Sequence, residues 1–116
     1  MALTLYGIPN CDTVKKAKKW LEANQQDYQF HDFRKDGLTE QQVTTWCDAL
    51  GWENVLNKRS TSWRNLTDEQ KTDLDQAKAV ALMIEQPTLV RRPVLDRDST
   101  FKVGFKDADY QAFFAE

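Results

Sequence analysis

The chain has 116 residues, 41% of them hydrophobic and 29% charged, with a formal net charge of -2. That length holds one domain with a single core, and that composition excludes a disordered chain. The charge excludes a general attraction for nucleic acid or anionic membrane, and no apolar run approaches the roughly 18–20 residues that span a bilayer.

The elements follow from local periodicity. Residues 3–6 alternate as a strand, and residues from about 13 to 24 form a helix with Val14, Ala17 and Leu21 on one stripe. Residues 28–33 alternate again, with Tyr28 and Phe30 inward. Strand, helix and strand at this spacing predict a parallel unit with a right-handed crossover. After the turn at Asp36-Gly37, Thr39 and Gln42 make a capping box, Val43, Trp46, Cys47 and Leu50 share a helical face, and Gly51 stops the helix. Residues 57–64 read as a polar, basic loop. Thr67 caps a short helix from about Asp68, and a longer one runs from about 75 to 86 with Ala77, Val80, Ala81 and Ile84 inward, ended by Pro87. Residues 93–96 and 101–103 form a hairpin around the turn at 97–99, and Asp107 caps a last helix carrying Tyr110, Phe113 and Phe114. The order predicts an α/β fold, a sheet of about four strands flanked by helices, whose strand order stays open.

Cys11 is the principal chemical candidate. It stands where the first strand hands over to a helix, and free backbone N–H groups and the helix dipole favour a thiolate there. Asn10 or Thr13 would help order the first turn, and Lys15 and Lys16 would add positive potential; Asp12 works against them. Cys47 shares an apolar stripe and reads as core. No basic segment with an apolar stretch opens the chain, so no signal peptide is read. A cytoplasmic location with reduced thiols is expected. The two cysteines form no Cys-x-x-Cys and His31 is the only histidine, so no metal site is expected.

Two basic segments are candidate anion sites. Lys58, Arg59 and Arg64, with hydroxyls and Trp63, would hold an oxyanion or a carboxylate, or form only a solvated loop. Arg91-Arg92-Pro93 is the second. Pro93 reads either as an edge-strand proline or as a cis proline, and Arg92, which adjoins it, is the stronger candidate of the pair.

The run Tyr6-Gly7-Ile8-Pro9-Asn10-Cys11-Asp12-Thr13, with residues 31–38, 56–64 and 86–94, resembles the arsenate reductase (ArsC) family. Within it the match is to a YffB-like branch also grouped with the Spx/MgsR regulators. The resemblance covers essentially the whole chain. It implies a thioredoxin-like (glutaredoxin-like) fold in one domain, 1–116, with a four-stranded mixed sheet. The core would take about 1–35 and 88–116, with a helical insertion over about 36–87. It also implies a cis Pro93 and a nucleophilic Cys11, with Arg92 as an oxyanion arginine. Three positions depart from the reductases: Gly7 replaces a histidine, Asn57 the basic-loop arginine (Arg59 standing two residues on), and Gly104 a late arginine.

Losing that clamp disfavours arsenate, whereas a mixed disulfide with glutathione needs one thiolate and cations for two carboxylates. The expected function is therefore a cytosolic thiol oxidoreductase, glutathione-dependent, with Cys11 as nucleophile and Arg92, Arg59, Asn57, Arg64 and Lys15 as substrate ligands. Glutathione would be a co-substrate rather than a bound cofactor, with glutaredoxin as a further partner and a monomer as the working form. Two alternatives stand beside it: an Spx-like regulator that binds RNA polymerase, and an arsenate reductase using glutathione and glutaredoxin. Val14, where many such regulators carry a second cysteine, argues against the first.

Overall fold

The computed structural model describes residues 3–115. The chain divides into two compact units. One takes the residues up to Gly37 together with those from Arg92 onward; the other spans Leu38–Arg91.

The first unit is built on a four-stranded mixed sheet. Strands β1 (Leu3–Gly7), β2 (Gln29–Asp32), β3 (Val94–Arg97) and β4 (Thr100–Val103) lie in the order β2-β1-β3-β4. β1 pairs parallel with β2 and antiparallel with β3, which pairs antiparallel with β4. Helix α1 (Asp12–Ala23) makes the crossover from β1 to β2. Alternation along β1 buries Leu3 and Leu5, and the 3.6-residue period of α1 buries Val14, Ala17, Trp20 and Leu21 in the same cluster. Leu95 of β3 and Tyr110 of the last helix complete it, with Tyr28 and Phe30 packed at its margin. The β3–β4 turn uses Asp98 and Ser99, both in the left-handed region, and the Asp96 carboxylate accepts the Ser99 amide at 2.8 Å.

The second unit is helical: α2 (Glu40–Leu50), α3 (Trp52–Val55), α4 (Thr61–Arg64), α5 (Asp68–Lys71), α6 (Gln76–Glu85) and a 3-10 turn over Pro87–Leu89. Capping chemistry sets its boundaries. Thr39 with Gln42 and Thr67 with Gln70 form reciprocal boxes, Asp75 caps α6, and Gly51 ends α2 with φ +89°.

Four expectations are corrected. Residues 57–64 are not all loop, because Ser60 accepts the Trp63 amide and starts α4. The buried face of α6 is Ala79, Val80, Leu82 and Met83; Ala77 and Ala81 are exposed and Ile84 is half-buried. Residues 79–84 are apolar throughout, so periodicity allowed either face, and the face with the larger side chains is the buried one. Asp107 does not cap the last helix, α7 (Asp107–Phe114); it is the first helical residue, after Lys106. Pro93 adjoins β3, which lies inside the sheet and not at its edge.

Two buried protons predict the alkaline behaviour. Burial pushes the Cys47 thiol up from the usual 9.0 to about 11, with the Asp48 carboxylate adding to it, and burial also raises the Tyr110 hydroxyl. Both groups are bound to their protons more tightly in the folded chain. Their contribution is complete below the unfolded values and lost as pH rises through the folded ones. Unfolding free energy should therefore fall above about pH 9, by about 1.4 kcal/mol per pH unit for each proton. The Tyr110 hydroxyl is buried without a hydrogen-bond partner. Tyr110→Phe should thus be neutral or up to about 1 kcal/mol more stable at pH 7, and shallower in its alkaline loss. Urea titrations at pH 7, 9 and about 10.5 read both effects; a steeper loss in the variant would refute the account.

Candidate functional site

One end of the sheet collects the candidate chemistry of the first unit. Tyr6 pairs with Val94 and Gly7 with Asp32, so the end of β1 lies beside the start of β3 and the end of β2. The Phe33 amide extends the β1–β2 ladder by donating to Gly7 O at 2.8 Å, and the Gly104 amide donates to Pro93 O at 2.9 Å. The Arg92-Pro93 peptide is cis.

Cys11 is the N-cap residue of α1, with extended backbone at φ -137° and ψ 123°. Its carbonyl accepts the Lys15 amide at 3.0 Å, and its half-buried side chain packs against the first unit's core. An N-cap side chain is placed to accept from the amides of the second and third helical residues, here Thr13 and Val14. No side chain caps this turn. Asn10 is exposed and Thr13 half-buried beside it, and the N-cap position that an oxygen fills in most helices is held by a sulfur that makes no cap hydrogen bond. Lys15 is exposed on the same first turn, as is Asp12.

Arg92 is half-buried, and its Nη1 is buried with no hydrogen-bond partner among the described residues. A buried guanidinium donor left unpaired costs free energy, and an anion would remove that cost. Arg91 differs. Its Nε donates to Asn54 O at 3.0 Å and its amide to Val55 O at 2.8 Å, which ties it into the second unit. His31 Nε2 lies 2.7 Å from Gly37 O, and since a carbonyl only accepts, that nitrogen carries the proton.

Asn57, Arg59 and Arg64 belong to the second unit. Asn57 is occupied with its own turn: its Oδ1 accepts the Arg59 amide at 3.0 Å and its carbonyl accepts Ser60 Oγ at 2.9 Å. Arg59 and Arg64 are exposed.

The two glycines have physical reasons that the sequence pattern did not reveal. A Cβ on Gly7 would stand 2.8 Å from Val14 Cγ2, closer than real contacts allow, so α1 rests directly on the β1 backbone. Gly104 has φ +74°, a left-handed conformation that an arginine would adopt only under strain. At Gly7 the Val14 side chain takes the space a Cβ would need, and at Gly104 the backbone conformation itself favours glycine.

The model of the ArsC family matches residues 6–113. The chain belongs to the ArsC family. Among solved structures it is similar to a YffB protein, with 44% identity and a TM-score of 0.93 over 96% of this chain and 97% of that one. It is also similar to an arsenate reductase (ArsC) related protein from Brucella melitensis, 45% identical, with a TM-score of 0.80 over 100% and 97%. A global transcriptional regulator Spx from Streptococcus pyogenes is 25% identical over 97% of this chain and 85% of its own length. The ArsC fold here is thus the α/β architecture with a four-stranded mixed sheet. Among the described residues, no helix of this ArsC chain is long and apolar enough to cross a membrane.

Proposed function

We propose that this ArsC-family chain is a glutathione-dependent thiol oxidoreductase in which Cys11 is the sole nucleophile and Arg92 holds a carboxylate of the glutathionyl group. The observation that carries the reading is Cys11 as the N-cap residue of α1, its side chain making no cap hydrogen bond as it stands. A thiolate there accepts the first-turn amides in place of a cap and gains from the dipole. The unpaired Nη1 of Arg92 supports the second half of the reading.

The cycle balances without an internal partner. The Cys11 thiolate attacks the glutathionyl sulfur of a mixed disulfide, forming Cys11–S–SG and releasing the substrate thiolate. A second glutathione thiolate then attacks the glutathionyl sulfur of that adduct. This releases Cys11 as thiolate and forms glutathione disulfide, so in sum one added glutathione thiolate and the mixed disulfide become the substrate thiolate and glutathione disulfide.

The test is mass spectrometry after exposure to oxidised glutathione, followed by steady-state kinetics. One adduct at Cys11 is expected. Arg92→Gln should raise KM for glutathionylated substrate about tenfold or more, with kcat changed less, because a buried charge-assisted contact is worth about 1.5–3 kcal/mol. A Cys11–Cys47 disulfide, or unchanged KM in the variant, would sink the reading.

A regulator is the second reading, favoured by the similarity to Spx. Position 14 holds a fully buried valine, so the first turn offers no second thiol for a Cys-x-x-Cys switch. Recovery of RNA polymerase subunits in a pull-down, with no turnover of glutathionylated substrate, would put this reading first. Arsenate reduction is disfavoured by glycine at positions 7 and 104, which supply no side chain to an oxyanion. Arsenite formation in a coupled assay with glutathione and glutaredoxin would restore it.

A further inference from the structure

The second unit carries a cationic surface to which the cycle proposed above assigns no role. Lys58, Arg59 and Arg64 are exposed, Lys71 is half-buried, and Trp63 lies among them, half-buried on α4. The Lys58 ammonium stands 5.6 Å from the Trp63 ring and 5.8 Å from the Trp52 ring; Lys71 stands 5.4 Å from Trp63. Two like charges therefore converge on one indole. Among the described residues, none of these four cations makes an ion pair.

The segment is held in place. The Asn57 amide donates to Leu89 O at 2.8 Å, Ser60 Oγ accepts the Trp63 amide at 3.1 Å, and Ser62 Oγ hydrogen-bonds Thr88 Oγ1. Its charges are thus presented by fixed backbone. Cations gathered without counter-charges repel one another, and an anionic partner would relieve that repulsion.

We propose that this surface docks an acidic peptide segment of a protein partner. Guanidinium groups match carboxylates in a planar, two-point geometry, and the Trp63 indole beneath the two lysines offers an apolar platform. Tryptophan and arginine are also the residues that most often dominate protein interfaces. Nucleic acid fits less well. The chain as a whole has a net charge of -2 and a pI near 5.4, and Asp68 and Glu69 open α5, the helix whose last residue is Lys71. A long polyanion leaving the patch would meet like charge, whereas a short acidic segment would not.

The test uses the full chain as Cys11→Ser, so that its outcome is independent of the thiol reading. The probe is an acetylated peptide of about eight residues alternating glutamate and leucine, titrated calorimetrically at about 50 mM salt. Saturable binding is expected, with the Trp63 indole N–H resonance shifting, that resonance being assigned by its loss in Trp63→Phe. Arg59→Gln with Arg64→Gln should weaken binding about tenfold or more, as should raising salt to about 300 mM. Lys58→Gln with Lys71→Gln provides a second variant should the first fail to fold. Absence of saturation, equal affinity in the folded variants, or tighter binding of an oligothymidylate of equal charge would overturn the proposal.

Discussion

Turnover of a glutathionylated substrate is expected to fall by about a thousandfold or more in Cys11→Ser, to the level of free glutathione. A serine hydroxyl is a preferred N-cap and keeps the helix start, so the loss would be chemical and not structural. That separation makes the variant informative: the melting temperature should hold or rise while activity vanishes. Cys47 offers no substitute. It is 2% exposed on α2, and burial has pushed its thiol up to about 11. At pH 7 only about one part in ten thousand of such a thiol is ionised. Iodoacetamide should accordingly label Cys11 alone in the native chain, and both cysteines after unfolding. Native labelling of Cys47 at a comparable rate, or substantial turnover by Cys11→Ser, would show that the reacting sulfur has been misassigned.

Features governed by neighbouring residues were legible in the sequence. The hand-over from β1 to α1 at Cys11 followed from an alternating strand, a turn and a helical stripe within a few residues. The box that starts α2 followed from Thr39 and Gln42 three positions apart, and the start of α5 from Thr67, whose reciprocal partner Gln70 only the structure showed. What depends on distant parts of the chain was not legible. The strand order places β3 between β1 and β4, and nothing local to residues 93–97 distinguishes that from an edge. In α6 an almost unbroken apolar run erased the periodicity that would have chosen a face. The Arg91-Arg92 pair shows the same division. Their order beside Pro93 suggested which one to examine, but only the hydrogen bond from Arg91 to Asn54, 37 residues away, separates a structural arginine from one with an unpaired donor.

The largest expected loss of stability from a single added methyl group is at Gly7. In Gly7→Ala the new Cβ would meet Val14 Cγ2 at 2.8 Å, and Val14 is fully buried, so neither side has solvent to yield into. Overpacking of this kind costs about 1–3 kcal/mol, which in a domain of this size lowers Tm by about 4–15 °C. Val14→Ala makes room at the same point. The double variant should therefore be more stable than the sum of the two single changes predicts, with a coupling of about 1 kcal/mol or more. Thermal unfolding of the three variants measures it, and strict additivity would mean that α1 does not rest on β1 through this contact. Val14 is also a first-turn residue whose amide lies within reach of the N-cap position. A shift of α1 that accommodates the methyl group moves that amide relative to Cys11, so Gly7→Ala should slow alkylation of Cys11 at pH 7 as well as lower Tm. Recovery of both by Val14→Ala would tie the reactivity of the thiol to the close packing of helix on strand, and would explain why a bulkier residue at position 7 cannot simply be added to this site.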